Sequence, residues 1–219
     1  MIKLAVFDMD GTICDTIDDL ANATNFAMTK LGHPTHDSDA YKYMVGNGML
    51  KLVFRALPED KRTDDEVDAA LKLMMGYYKD HFIDKTHAYN GIPELLSLLK
   101  NQGIHIAVCT NKAQDMAEKV ADKLFPQVFD LVMGKTDDRP LKPNPFSVKE
   151  IMKYYGAEET ETVFIGDSSV DMQTAVNSGA IPIGVLWGFR DEAELNENGA
   201  KYIAKAPMEI FGIIKTIEE

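Results

Sequence analysis

Asp8, Asp10 and Thr12 stand directly after the apolar run Leu4-Ala5-Val6-Phe7, in the string Asp8-Met9-Asp10-Gly11-Thr12. A short run rich in branched and aromatic side chains, halted at a glycine, reads as a buried strand. Residues two apart on an extended chain project to the same side. The two carboxylates at the exit of this strand therefore face one way, and they repel each other unless positive charge lies between them. A divalent cation answers that repulsion, and Mg²⁺ takes one or two carboxylates together with phosphate oxygens. A carboxylate held beside such an ion is also a candidate nucleophile toward phosphorus. By themselves the same residues also read as a polar turn after a strand.

Three later stretches have the same character. The apolar run 104–109 is followed by Thr110-Asn111, whose hydroxyl and backbone N–H groups suit phosphate oxygens at a helix start. Thr-Asn is equally the composition of an ordinary helix N-cap. Lys142 stands in Leu141-Lys142-Pro143-Asn144-Pro145, where two prolines stiffen the turn that presents the amine. A single loop lysine also serves as a solvated charge. The run 162–165 leads into Gly166-Asp167-Ser168-Ser169-Val170-Asp171. Gly166 permits close backbone approach. Asp167 and Asp171, four apart, are expected on one face of the first helical turn. Capping by one Asp leaves the second unexplained.

These positions need elements to hold them. After Gly103 the pattern alternates: strand 104–109, helix 113–124, strand 129–133, helix 145–155, strand 162–165 and helix 170–178 closed by Gly179. A strand at 181–185, a short one at 200–203 and a helix from about 207 complete the chain. Strands alternating with helices imply an α/β fold, a doubly wound parallel sheet covered on both faces. Ligands gather at the C-terminal ends of such strands. Between 15 and about 86 the alternation stops. Ile17, Leu20, Ala21, Thr24, Ala27, Met28 and Leu31 share a helical face that Gly32 terminates. Thr63 and Glu66 have capping-box spacing ahead of Val67, Ala70, Leu71, Met74, Tyr78 and Phe82. Val45-Gly46-Asn47-Gly48 breaks the text before a short helix over 49–56. Residues 1–15 and 86–219 are thus expected to form the α/β core, and 16–85 an inserted helical module.

Composition narrows the partners. The chain has 219 residues, 45% of them hydrophobic, as an ordinary globular protein does, and a net charge of −12. That charge argues against nucleic acid, which needs a basic face. It does not argue against a small anion, because exposed charges are screened over about 8 Å in physiological salt. A pocket with its own cation, a lysine and helix N-termini is locally positive. No run is long enough to span a membrane, and the first residues lack a leader pattern. Cys14 and Cys109 are too few for a disulfide framework and read as small buried residues in a reducing, cytoplasmic setting. The five histidines lack ligand spacing, and the methionines read as core filling. Trp187-Gly188-Phe189 follows a strand, at a pocket rim or a core edge. No feature assigns an oligomeric state.

In their order, Asp-x-Asp-x-Thr, a strand-terminal Thr, a lysine and Gly-Asp-x-x-x-Asp resemble the motifs of the haloacid dehalogenase superfamily of phosphotransferases, over essentially the whole chain. The insertion is similar to that superfamily's small α-helical cap on a Rossmann-like core. Within it, Thr16-Ile17-Asp18-Asp19-Leu20, Val45-Gly46-Asn47-Gly48 and Arg55-Ala56-Leu57 look like phosphoglycolate phosphatases. Met9 stands where the family usually has Leu, and Asp15-Thr16 replaces a common Asp-Ser.

The resemblance implies Mg²⁺-dependent hydrolysis of a small phosphorylated metabolite through an aspartyl-phosphate, with no nucleic acid or membrane partner. Asp8 would be the nucleophile and Asp10 the general acid and base. Mg²⁺ would be held by Asp8, the Asp10 backbone carbonyl and Asp167, with Asp171 orienting water or a neighbouring ligand. Lys142 would offset the repulsion between Asp8 and phosphate. Thr110 and the N–H groups of Asn111 and Gly11 would receive phosphate oxygens, and Thr12 would hold the loop that places Asp10. Asn47, in Gly46-Asn47-Gly48, would inspect the leaving group, and Arg55 or Lys51 would meet a substrate carboxylate, each reading equally as a solvated charge. A phosphomutase, in which Val often stands at the position of Thr12, and a pyrophosphatase use the same motifs. Outside the superfamily, receiver domains combine acidic residues, Thr and Lys on a parallel sheet, but their phospho-accepting Asp follows a third strand. A non-catalytic binding protein of this fold is expected to lack one of the carboxylates, and all are present.

Overall fold

Leu4–Phe7 (β1) is buried at every residue, as a strand covered on both faces must be. It is an interior strand of the main sheet in the structure, a computed structural model that describes residues 1–219. The other strands are β2 (Cys14–Asp15), β3 (His87–Ala88), β4 (His105–Ala113), β5 (Leu131–Lys135), β6 (Thr162–Gly166), β7 (Ile181–Val185) and β8 (Tyr202–Ala204). Six of them form one parallel sheet in the order β5-β4-β1-β6-β7-β8. β2 and β3 pair with each other. The chain divides into two compact units, residues 1–14 with 88–219, and residues 15–87.

The second unit is all helical: α1 (Ile17–Leu31), α2 (Ser38–Lys42), α3 (Met49–Ala56) and α4 (Asp64–His81), with a 3₁₀ turn at Glu59–Lys61. α1 buries Ile17, Leu20, Ala21, Thr24, Ala27 and Met28, the face its periodicity marks out, and ends at Gly32 in the left-handed conformation (φ 75°). The capping box expected at Thr63 is only half formed. The Thr63 hydroxyl accepts from Glu66 N, but the Glu66 carboxylate turns to His33 Nε2 at 2.6 Å. Tertiary contact thus outcompetes the local bond. α2, which the sequence did not signal, is five residues long and too short to show a period.

The first unit carries α5 (Ile92–Asn101), α6 (Gln114–Leu124), α7 (Phe146–Tyr155), α8 (Ser169–Ser178), α9 (Glu192–Glu197) and α10 (Glu209–Ile217) flanking the sheet. α5 buries Ile92, Leu95, Leu96 and Leu99, a helical spacing legible in the text although no element was expected there. One core cluster joins Leu4, Val6, Ala107, Cys109, Val148, Ile151, Met152, Phe164 and Ala175 from sheet and helices. The chief departure is β4. It was expected to end at 109, with Thr110-Asn111 opening a helix, but it continues to Ala113, paired to Lys135 of β5 after a register irregularity. Sheet pairing wins over the N-cap preference of Thr-Asn.

The topology explains where a ligand belongs. From β1 the chain fills one side of the sheet with β4 and β5, then crosses to the other side for β6 and its neighbours. The crevice beyond the C-terminal ends of β1 and β6 is the switch point.

In the helical unit, Asp19 in the first turn of α1 is 2% exposed, and its carboxylate accepts from Lys85 N (3.1 and 3.0 Å) and Thr86 N (2.8 Å). Asp19→Ala leaves two backbone donors without this acceptor. The expected cost is about 2–3 kcal/mol, read as a lower thermal midpoint with faster hydrogen exchange at the Lys85 and Thr86 amides.

Candidate active site

Asp8 is the first residue after β1, and its N–H donates to Ile165 O (2.9 Å) on β6. Asp167 is the first residue after β6, Lys142 comes from the loop after β5, and Asp171 from the first turn of α8. All four side chains are buried. Lys142 Nζ lies 2.8 Å from Asp8 Oδ1 and 2.6 Å from Asp171 Oδ1. The other Asp171 oxygen accepts from Ser168 N (3.1 Å) and Ser168 Oγ (2.6 Å), closing the capping box of α8. Asp167 therefore precedes the helix and does not share its first turn with Asp171, as had been expected. The two carboxylates nonetheless converge, each with an oxygen within 4.8 Å of the other's.

Backbone and neighbouring side chains hold this arrangement. Asp167 accepts from Thr12 Oγ1 (3.1 Å) and from Phe189 N (2.8 Å). Gly11 has φ 90°, and a Cβ there would strike the Asp167 carboxylate, so neither the turn nor the contact tolerates a side chain. At Gly166 a Cβ would collide with the Asp171 side chain. The side chain of Asn111 grips the Lys142 backbone from both ends, Oδ1 accepting from Lys142 N (2.8 Å) and Nδ2 donating to Lys142 O (3.2 Å). The Lys142–Pro143 peptide is cis.

Three carboxylates facing one ammonium leave two negative charges uncompensated when all are ionised. Burial, with the Asp171 charge next, pushes Asp8 up to about 7, against the pull of Lys142. Burial, then Asp171 and Asp8, pushes Asp167 up to about 8. Burial works to lower Lys142, but Asp171 and Asp8 outweigh it and hold the ammonium protonated well above its ordinary range. Asp8, Asp167 and Asp171 each offer an oxygen within 4.8 Å of the others. Asp8 Oδ1 is buried and, its ion-pair contact apart, has no hydrogen bond of good geometry. An all-oxygen donor set with two surplus charges fits a hard divalent cation. Of the three, Asp171 is the most fully engaged by protein donors.

Several residues expected at the site have other partners. The Gly11 N–H donates to Cys14 O (2.8 Å), so it is not offered to phosphate as expected. The Thr12 hydroxyl holds Asp167 and not the Asp10 loop. Asn111 acts on Lys142 through its side chain. Thr110 is buried, and its hydroxyl oxygen accepts from Lys112 N (3.3 Å). The Asp10 carboxylate pairs with Lys112 Nζ (2.8 and 3.1 Å). Asn47 belongs to the helical unit, where its Oδ1 accepts from Arg55 (2.7 Å) between Gly46 (φ 113°) and Gly48 (φ 84°). Cys109 is buried beside the cluster with its thiol pushed up to about 12 by burial.

Lys112 was missed: it lies two residues beyond Thr110 in the irregular last part of β4, a placement visible only once the strand is known to run past 109. Trp187, left between rim and core edge, donates Nε1–H to Thr12 O (2.9 Å) and ties the segment after β7 to the loop after β1.

The profile of the family described as haloacid dehalogenase-like hydrolase matches residues 5–185. The chain belongs to the haloacid dehalogenase-like hydrolases. It is 32% identical to a phosphoglycolate phosphatase of Neisseria meningitidis, over 91% of this chain and 86% of that one. It is 30% identical to one of Chromobacterium violaceum, over 98% and 97%. A crystal structure of a candidate phosphoglycolate phosphatase from Lactobacillus delbrueckii subsp. bulgaricus superposes with a TM-score of 0.93 at 34% identity, covering 97% of this chain and 98% of that one. The buried acidic cluster of this haloacid dehalogenase-like phosphatase lies at the sheet's switch point. No helix is long and apolar enough to cross a membrane.

The raised carboxyls make stability depend on pH and on cation. Folded Asp8 and Asp167 keep their protons to about 7 and about 8, whereas an unperturbed aspartate carboxyl loses its proton near 3.8. Between these limits the folded state binds more protons than the unfolded chain, so this contribution to stability falls as pH rises through that window. Without divalent cation, the thermal midpoint is expected to decline from about pH 5 to about pH 8.5, and a saturating divalent cation to raise it most at the alkaline end. A midpoint indifferent to the cation throughout this range contradicts the assignment of the cluster.

Proposed function

We propose that this protein is a Mg²⁺-dependent phosphatase for small phosphate monoesters of the phosphoglycolate type, working through an aspartyl-phosphate at Asp8. The observation that carries the reading is the buried Asp8 carboxylate, 2.8 Å from Lys142 and within reach of Asp167. The phosphoglycolate phosphatases among its relatives support the substrate class.

Asp8 attacks phosphorus as the ester P–O bond breaks, and Asp10 delivers a proton to the departing oxygen. Water then attacks the phosphorus of the aspartyl-phosphate, giving a proton to Asp10, and phosphate leaves with Asp8 restored. Lys142 counters the repulsion between the anionic nucleophile and the anionic ester. The Thr110 hydroxyl and the Asn111 backbone face the oxygens on which charge accumulates. Mg²⁺, held by Asp8, Asp167 and the Asp10 carbonyl, would supply charge neutralisation to those oxygens. Asp171 holds Lys142 in line, and Thr12 with the Phe189 amide orients Asp167.

Asp8→Asn is expected to lower turnover at least about 1,000-fold with circular dichroism unchanged. Acid quenching of the native enzyme during turnover should trap phosphate on Asp8. Retention of even a few per cent of activity, or trapped phosphate elsewhere, contradicts the nucleophile assignment. In a panel of phosphorylated acids, hexose phosphates, nucleotides and pyrophosphate, the highest kcat/KM is expected for phosphoglycolate.

A further inference from the structure

Asp8 has its own lysine in Lys142, and the structure contains a second buried lysine that this chemistry has not used. The Lys112 side chain is 0% exposed, whereas that of Asp10, its ion-pair partner, is 14% exposed. One amine touches both carboxylate oxygens, at 2.8 and 3.1 Å. We infer that Lys112 is a positioning residue that fixes the Asp10 carboxyl in the orientation from which it exchanges protons with the leaving group and with water. The inference rests on the acid–base role proposed for Asp10.

The path of the turn does not require this ion pair. Thr12 N (3.2 Å), Ile13 N (3.1 Å) and Cys14 N (3.0 Å) all donate to Met9 O, and Gly11 N donates to Cys14 O (2.8 Å). Trp187 and Thr12 tie the same turn to the rest of the unit. With the backbone held by these bonds, what Lys112 adds is a restraint on the Asp10 side chain. The amine is buried and the carboxylate it holds is the partly exposed member of the pair. Lys112 itself lies in β4 between the paired positions Cys109 and Ala113, where the register with β5 is irregular, and its N–H donates to Thr110 Oγ1. A carboxyl free to rotate about χ1 and χ2 would seldom meet the ester oxygen. Loss of orientation of a general acid costs rate only where a proton is needed.

That condition gives a signature that a purely structural lysine lacks. The alkoxide of phosphoglycolate needs a proton to depart, and p-nitrophenolate does not. In Lys112→Met, kcat for phosphoglycolate is expected to fall about 100-fold or more, with KM little changed. The burst of p-nitrophenolate from p-nitrophenyl phosphate should change less than about threefold. Lys112→Arg, which keeps the charge, should recover part of the loss. The double variant Asp10→Asn with Lys112→Met buries no unpaired charge, so it should fold even if Lys112→Met alone does not. It should hydrolyse phosphoglycolate no more slowly than Asp10→Asn. Equal losses on both substrates, or a further large loss in the double variant, would overturn the inference while leaving Asp8 as nucleophile. Normal phosphoglycolate turnover in Asp10→Asn would overturn it together with the acid–base assignment, and an active Asp8→Asn marks the separate failure of the aspartyl-phosphate reading.

Discussion

Three carboxylates are buried within 4.8 Å of one another around a single ammonium at the exit of the central strand. Burial of like charges at this distance is unfavourable, and the protein answers it only in part. Lys142 cancels one charge, and protons on Asp8 and Asp167 can cancel others near neutral pH. A divalent cation would take the place of those protons. Much of the surrounding construction holds the acidic groups in a geometry they would not adopt alone. The capping box fixes Asp171, Thr12 and the Phe189 amide fix Asp167, and Asn111 fixes the backbone of Lys142.

Two aspartates two residues apart are thereby given different environments. Asp8 sits against Lys142 and Asp171 in the cluster, and Asp10 sits against Lys112 outside it. The separation arises because the chain leaves extended geometry at Asp8. Three bonds to Met9 O close the turn in which the second carboxylate stands. A pair of like residues with unlike partners is what a reaction with separate nucleophilic and proton-transfer tasks requires. The sheet supplies the frame. Crossing from β5 to β6 opens the space beyond β1 and β6 that receives these groups.

Much of this was legible in the residues. The strand-and-helix alternation after Gly103, the face of α1, the bounds of α3 and the C-terminal glycines follow from periodicity and backbone sterics, which act locally. Asp8, Lys142, Asp167 and Asp171 could be named as a set because each falls near a strand end. The position of Thr110 was also found, but its strand was ended too early. The Thr-Asn pair has a strong local preference for capping, and only the neighbouring β5 reveals that pairing overrides it. That error concealed Lys112.

The sequence by itself determined that separate acidic and basic residues stand near successive strand ends of a parallel α/β sheet, because the strand and helix periods are written residue by residue. The tertiary structure alone decided which of them touch. Thr12 reaches Asp167 across 155 positions, Trp187 reaches Thr12 across 175, and Lys112 reaches Asp10 across 102. Such bonds depend on strand order, turn geometry and the need to pair every buried charge, and none of these is a property of a local stretch of chain.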